Sequence, residues 1–345
     1  MSLFNKIKIA VIGATGYTGL DLVYFLSKHP KVKILYLCAS KNLGKKISFF
    51  DKRIKKNLPK ISSINSVNWN DLDLVFLSLP NNEAQKIILN KFDEHKKLKF
   101  IDLSADFRIF NPTLYFKTYK TKHKAINLIK NSIYSISEFN KKKIQNYRII
   151  SNPGCYPTSI QIPLVPLIKK GLIKNKNISI DSKSGFSGAG KKFKKKFTHR
   201  NLYQSTFAYS PKNHRHVCEI DQEINKFTNK KISFSFNPHL IPTFRGILTS
   251  IYIEPIKSIS PFKIINELNR FYKKSKFIKI LKLNSQLGSG NVLNTNKCEI
   301  SVCETNVKNK IVIFSAIDNL VKGAAGQAIQ NMNVLYKLPE ELGLK

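Results

Sequence analysis

The stretch Ile7 to Leu22, IKIAVIGATGYTGLDL, sets a run of β-branched apolar residues before a glycine turn and a helical pattern. A short apolar run bounded by glycine reads as a buried strand. Beyond it Leu20, Val23 and Leu26 share one helical face, and the pattern stops at His29-Pro30, where proline cannot continue a helix. Gly13, Gly16 and Gly19 mark the turn with a GxxGxxG spacing. A strand, a glycine turn and a helix N-terminus let backbone amides and the helix dipole face a pyrophosphate. The segment therefore predicts a dinucleotide cradle made by Gly13, Thr15, Gly16, Tyr17, Thr18 and Gly19. After the second strand, KVKILYLCAS, an NAD-binding chain presents Asp or Glu to the ribose about twenty residues on. Here Ser40 and Lys41 stand at that point. A hydroxyl and an ammonium suit a 2′-phosphate, which points to NADP.

Strand and helix patterns continue to alternate through DLDLVFLSLP, EAQKIILNKF and KFIDLS. That order predicts an α/β, Rossmann-type, doubly wound parallel sheet. After about residue 150 the texture changes to strand-rich segments, ISIDSKSG, KISFSFNPHLIP, GILTSIYIEPI, CEISVCET and KIVIFSAID, with helices near Glu219 to Phe227 and Pro261 to Lys274. These predict an α+β domain with a mainly antiparallel sheet. The expected division is a first domain over 1–150, completed by a C-terminal helix within 319–345, and a second over 151–318.

The net charge of +38 invites a nucleic-acid reading, but only seven of the 59 basic residues are arginine and the lysines are scattered along the chain. Base and phosphate readers concentrate arginine on one element. The one cluster, Lys191 to Lys196, reads as a solvated loop, so no nucleic-acid partner is expected. No apolar run is long enough to cross a membrane and no signal peptide is evident, so the chain is expected to be cytoplasmic. Five cysteines without a CxxC pattern fit free thiols in a reducing compartment.

One of those cysteines stands apart. In RIISNPGCYPT, Cys155 follows glycine at a strand-to-helix turn, where orphan amides and the helix dipole stabilise a thiolate. Cys38, Cys298 and Cys303 lie in strand patterns and read as small packing residues. A thiol nucleophile beside a dinucleotide implies thioester-forming oxidoreduction of an aldehyde or acyl phosphate. The segment HRHVCEI supplies His214 and His216 as candidate acid/base groups, with Glu219 three residues after His216, where it can orient an imidazole. No third ligand is spaced for a metal, and none is expected.

Taken together, GATGYTG, DLSADFR, SNPGCYPT, SGFSGAGKK, HRHVCEI, RGIL and DNLVKGAAGQA resemble the N-acetyl-γ-glutamyl-phosphate reductases of arginine biosynthesis over nearly the whole chain. The resemblance implies that 1–150 bind NADP and that 151–318 form a catalytic and dimerisation domain, giving a homo-oligomer, dimer or tetramer. It implies that Cys155 attacks a small-molecule acyl phosphate, that NADPH reduces the resulting thioester to an aldehyde, and that His216, with Glu219 as orienter, manages the proton. His214 is the second choice for that role. Arg108 and Arg245, with Ser104 and Asn152, are implied substrate contacts, while Ser187, Gly188, Asn319 and Lys322 are implied near the nicotinamide. The sequence departs from the family at Cys218, where proline is usual. Aspartate-semialdehyde dehydrogenases and reductases of carrier-bound aminoadipyl phosphate share much of this pattern; a non-catalytic NADP-sensing or basic nucleic-acid-binding protein is the alternative from a different class.

Overall fold

The structure, a computed structural model, describes residues 6–191, 205–257 and 259–344. Of the Lys191–Lys196 cluster, therefore, only Lys191 falls within it. The chain divides into two compact units, one formed by Met1–Pro153 with Ala324–Lys345 and the other by Gly154–Gly323.

The first unit is built on β1 (Ile7–Ile12), α1 (Tyr17–Lys28), β2 (Val32–Cys38), β3 (Ile61–Ser62), β4 (Leu74–Leu77), α2 (Ala84–Lys91), β5 (Lys99–Asp102), α3 (Pro112–Tyr119), β6 (Ser132–Tyr134), α4 (Ser137–Asn140) and β7 (Ile149–Ser151). Its sheet has the order β3-β2-β1-β4-β5-β7-β6, and every pairing is parallel. Strands covered on both faces must be apolar on both, which is why β1 and β4 read as continuous hydrophobic runs. Ile12, Val75, Leu77, Phe100 and Ile149 pack with Ala84 and Ile88 of α2 in one core cluster. The strand order reverses between β1 and β4, the switch point at which open parallel sheets bind ligands.

The glycine turn sits at the C-terminal end of β1. Gly13 has φ +89°, and a Cβ there would lie 2.1 Å from the Ser78 carbonyl oxygen. A Cβ at Gly19 would lie 2.1 Å from the Gly13 oxygen, so α1 touches the turn backbone to backbone. Both glycines are thus required by close packing alone.

The second unit carries α5 (Cys155–Lys169), β8 (Ile178–Gly185), β9 (Phe207–Ala208), α6 (His216–Ile224), β10 (Phe234–Ile241), β11 (Ile247–Ile253), α7 (Pro261–Tyr272), β12 (Ile278–Ile280), β13 (Cys298–Glu304) and β14 (Ile311–Ile317). Its sheet runs β12-β13-β14-β11-β8-β10-β9, with β12–β13 and β8–β10 parallel and the other pairings antiparallel. The two- and three-residue strands β3, β6, β9 and β12 are too short to leave a periodic signal.

Helix α5 is buried along almost its whole length and packs on β11, β14, α6 and α7. Pro163 and Pro166 lie inside it. Proline has no amide for the carbonyl four residues back. The Ile162 carbonyl left by Pro166 accepts the Tyr272 hydroxyl of α7 instead. A hydroxyl chain, Ser159–Thr249 at 2.8 Å and Ser182–Thr249 at 2.9 Å, ties α5 to the sheet beneath it. Helix and sheet therefore hold the first turn of α5 on a rigid base.

The final helix, α8 (Gly326–Leu335), belongs to the first unit and is buried on all sides. Amide side chains fasten it there: Asn331 accepts the hydroxyls of Ser135 and Ser137 and donates to the Asn152 side-chain oxygen at 3.2 Å. His29 meets Asn333 at 3.0 Å. Among the described residues no helix is long and apolar enough to cross a membrane.

Candidate active site

In the first unit, α1 begins after Gly16, whose backbone is extended and whose helix start has no side-chain cap. Of the turn's amides, Gly13 and Ala14 both donate to the Cys38 carbonyl, which locks the turn to the end of β2. A Cβ added at Gly16 would meet only the Gly13 oxygen within 4 Å, at 3.5 Å. It would project into the open space over the helix start, the space a pyrophosphate needs. Thr15, Tyr17 and Thr18 are half-buried around this cradle, and Ser40 and Lys41 are exposed just beyond β2. The residues fit a phosphorylated dinucleotide. Gly16→Val is therefore expected to fold normally and to raise the KM for NADPH about tenfold or more, read by initial rates beside a thermal melt. A melting temperature that falls with affinity would assign Gly16 to packing instead.

Ser104, Arg108 and Asn152 also lie in the first unit, where they brace the loop after β5. The buried Asp102 carboxylate accepts the amides of Ser104 and Phe107, and Ser104 Oγ accepts the Asp106 amide. Burial, together with neighbouring Asp106, raises Asp102 well above the usual carboxylate range. Arg108 Nε donates to the Asn152 carbonyl at 2.8 Å and Nη2 to the Leu103 carbonyl at 3.0 Å. Asn152 Nδ2 in turn donates to the Ala324 carbonyl.

Cys155 lies in the second unit as the first residue of α5, half-buried, after Gly154 in extended conformation with no side-chain cap. The Gly154 amide donates to Glu219 Oε1 at 2.7 Å. Glu219 is fully buried on α6, so it pins the turn before Cys155 to the neighbouring helix. The i, i+3 spacing suggests a partnership with His216; the contact with Gly154, 65 residues away, is one that spacing cannot reveal.

On another side stands the turn that leads to α8. The Gly323 amide donates to the Asp318 carbonyl five residues back, at 2.9 Å, within a π-helical turn over Val321–Ala325. Such wide turns recur at functional sites. A Cβ at Gly323 would lie 2.6 Å from Cys155 Cβ, so glycine alone lets this turn close on the cysteine. The Asp318 carboxylate accepts the amides of Leu320, Val321 and Asn294, and lies 3.5 Å from Arg245 Nη1. Asn319 accepts the Gly246 amide and donates to Ser187 Oγ, which fixes the 3-10 turn Phe186–Ala189 that contains Gly188. Lys322 is fully buried, its Nζ 5.7 Å from the centre of the Phe277 ring. Ser187, Gly188, Arg245, Asn319 and Lys322 thus belong to the same unit as Cys155.

The cysteine faces a cavity of roughly 430 Å³, lined also by Tyr156, Tyr209, His214, Arg215 and His216. Tyr209 donates to the Tyr156 hydroxyl at 3.3 Å, and Tyr156 to the His239 carbonyl at 2.9 Å. Burial holds Tyr156 above its ordinary range and pushes Tyr209 up to about 12, so both stay neutral. Burial, reinforced by the charge of Arg215, pushes His214 down to about 4. Tyr156 lies within the cysteine motif and Arg215 between the two histidines of HRHVCEI, whereas Tyr209 carries no spacing signal. Of the other thiols, Cys218 on α6 and Cys303 on β13 are half-buried. Cys38 and Cys298 are buried, and burial raises Cys38. A first-turn thiol on a rigid helix, facing a cavity that two imidazoles also line, can form and release an acyl bond.

Known proteins share this organisation. Residues 8–147 match the family model described as semialdehyde dehydrogenase, NAD binding domain, and residues 155–319 that described as semialdehyde dehydrogenase, dimerisation domain. The solved aspartate semialdehyde dehydrogenase II from Vibrio cholerae superposes with a TM-score of 0.73, covering 96% of this chain and 99% of that one, at 16% identity, a likeness of fold. The N-acetyl-gamma-glutamyl-phosphate reductase of Brachyspira hyodysenteriae is 42% identical over 98% of each chain. The probable chloroplastic enzyme of the same name from Oryza sativa subsp. japonica is 39% identical over 99% of this chain and 82% of its own. With two family models spanning both units and relatives this similar over nearly full length, the chain belongs to the N-acetyl-γ-glutamyl-phosphate reductase family.

Proposed function

We propose that this chain reduces N-acetyl-γ-glutamyl phosphate to N-acetylglutamate semialdehyde and inorganic phosphate, an oxidoreduction of arginine biosynthesis, through a thioester on Cys155. The observation that carries the reading is the placement of the Cys155 thiol at the uncapped first turn of α5, against a cavity lined by His214 and His216. NADPH, when bound in the glycine cradle by Gly13, Thr15, Gly16, Tyr17, Thr18 and Gly19, with Ser40 and Lys41 at the 2′-phosphate, supplies the hydride.

The chain's residues do the remainder. Helix α5 favours the Cys155 thiolate, whose sulfur forms a bond to the acyl carbon as the bond from that carbon to phosphate oxygen breaks. First-turn amides of α5 face the oxyanion that develops in this step and again after reduction. His216 gives a proton to the hemithioacetal oxygen and takes it back as the carbonyl re-forms and the carbon–sulfur bond breaks. Glu219 holds the turn on which the sulfur rides. Ser187, Gly188 and Asn319 shape the neighbouring wall, with Arg245 and Lys322 behind it, while Arg108, Ser104 and Asn152 brace the loop after β5 within the first unit.

The second unit carries the match to a dimerisation domain, and we assign the chain a homo-oligomeric state, dimer or tetramer, in the cytoplasm. The charge of +38 then serves attraction of anionic substrate and cofactor rather than nucleic-acid binding.

The discriminating assay runs the reaction backward with phosphate and NADP+, offering N-acetylglutamate semialdehyde and aspartate semialdehyde separately. The expected result is a kcat/KM at least about a hundredfold higher for the acetylated aldehyde, since a site built for a polar group rejects the analogue lacking it. A preference for aspartate semialdehyde would overturn the substrate assignment.

A further inference from the structure

His214 and His216 line one cavity, and by sequence either is eligible for proton transfer. Their surroundings separate them. The Nδ1 of His214 accepts the backbone amide of His216 at 3.2 Å, and the His214 carbonyl accepts the Val217 amide at 3.0 Å. His214 therefore caps the start of α6 with both its backbone and its ring, where the formal cap residue, Arg215, offers no side-chain bond. A ring nitrogen that accepts an amide hydrogen carries no proton, so the neutral ring must hold its hydrogen on Nε2.

The ring also has no room to turn over and exchange its nitrogens. It is 8% exposed and meets four other rings edge-on, Tyr156 at 5.6 Å, Tyr209 at 5.4 Å, Phe236 at 5.4 Å and His216 at 4.8 Å between centres. Among the described residues the titratable and charged groups about it are Tyr156, Tyr209, His216, Cys155 and Arg215, and of these only Arg215 carries a fixed charge, which opposes protonation. Arg215 lines the same cavity and makes no ion pair among the described residues. A neutral N–H donor beside a guanidinium is a recognition pair for an anionic oxygen.

We infer that His214, held as its Nε2–H tautomer by the amide it caps, acts with Arg215 to bind an anionic oxygen of the substrate, and that His216 alone changes protonation during turnover. The inference rests on the function proposed above for the substrate, and on geometry alone for the tautomer. The anionic oxygen belongs either to the phosphoryl group or to the carboxylate of the amino-acid portion, and the same chemistry serves both.

Two measurements test it. Nitrogen-15 spectra of histidine-labelled protein should show His214 as the neutral Nε2–H form from neutral pH down to about pH 5. A His214 found as the Nδ1–H form or as the cation over that range overturns the inference whatever the substrate is. His214→Asn keeps an acceptor for the His216 amide but is too short to place an N–H where Nε2 stood. In the reverse assay it should raise one KM about tenfold, the worth of one hydrogen bond to a charged group. That KM is for phosphate if the phosphoryl oxygen is held, and for the aldehyde if the carboxylate is. The pH dependence of kcat should keep its shape. Loss of a limb of that profile, or both KM values unmoved, contradicts the assignment. Absence of turnover with the acetylated aldehyde in the wild-type protein sinks the function reading instead and leaves the tautomer result standing.

Discussion

Replacing Cys155 by alanine is expected to abolish turnover and leave NADPH binding intact. Every bond-making step in the proposed reaction passes through its sulfur, and the histidines have no nucleophile to serve once it is gone. A drop of at least about 10⁴-fold in kcat follows the behaviour of enzymes stripped of a covalent nucleophile. Fold should survive, because the side chain is half-buried at a helix start and the β-carbon of alanine still sits against Gly323. The check is a steady-state assay beside a fluorescence titration with NADPH. Reductase activity within about tenfold of wild type would remove Cys155 as nucleophile, since no uncatalysed route is that fast.

The second large effect is expected at Gly323, a residue without a functional group. An added methyl at 2.6 Å from Cys155 Cβ and 3.1 Å from its Cα has backbone on one side and a helix start on the other, so one of them must move. Overpacking of this kind costs about 1–3 kcal/mol of stability. Displacing a reacting atom by about an ångström costs on the order of a hundredfold in rate. Gly323→Ala should therefore lose activity well beyond its loss of stability, and alkylation of Cys155 by iodoacetamide should slow in parallel. A variant that melts early but turns over at the wild-type rate would show that the π turn supports the fold and not the sulfur.

Much of this was legible beforehand, and the reason is local. A glycine turn after a β-branched run, and a cysteine between glycine and the polar start of an apolar helix, are short-range patterns whose geometry follows from backbone sterics and helix termini. The parallel sheet followed from alternation of the two periodicities, and the mostly antiparallel one from a run of strands with few helices. What spacing could not show is contact across the fold. The spacing of Glu219 from His216 gives no sign that its carboxylate also accepts the Gly154 amide, 65 residues away. His214 looks interchangeable with His216 until its ring is seen capping α6. Nor does spacing show that Asn319 bridges the Gly246 amide and the Ser187 hydroxyl, or that Lys322 is buried with its Nζ over Phe277. Gly323 sits in a glycine- and alanine-rich helix start where nothing marks it as the neighbour of a thiol 168 positions earlier in numbering. Short strands such as β9 and β12 carry too few residues to register a period.

The most direct measurement traps the acyl group. Protein mixed with N-acetyl-γ-glutamyl phosphate in the absence of NADPH, quenched in acid and digested, should yield the Cys155 peptide heavier by one N-acetylglutamyl group, with one phosphate released per acylated site and the label lost on adding NADPH. An unmodified Cys155 peptide, from protein that nonetheless reduces the acyl phosphate when NADPH is supplied, would contradict the account.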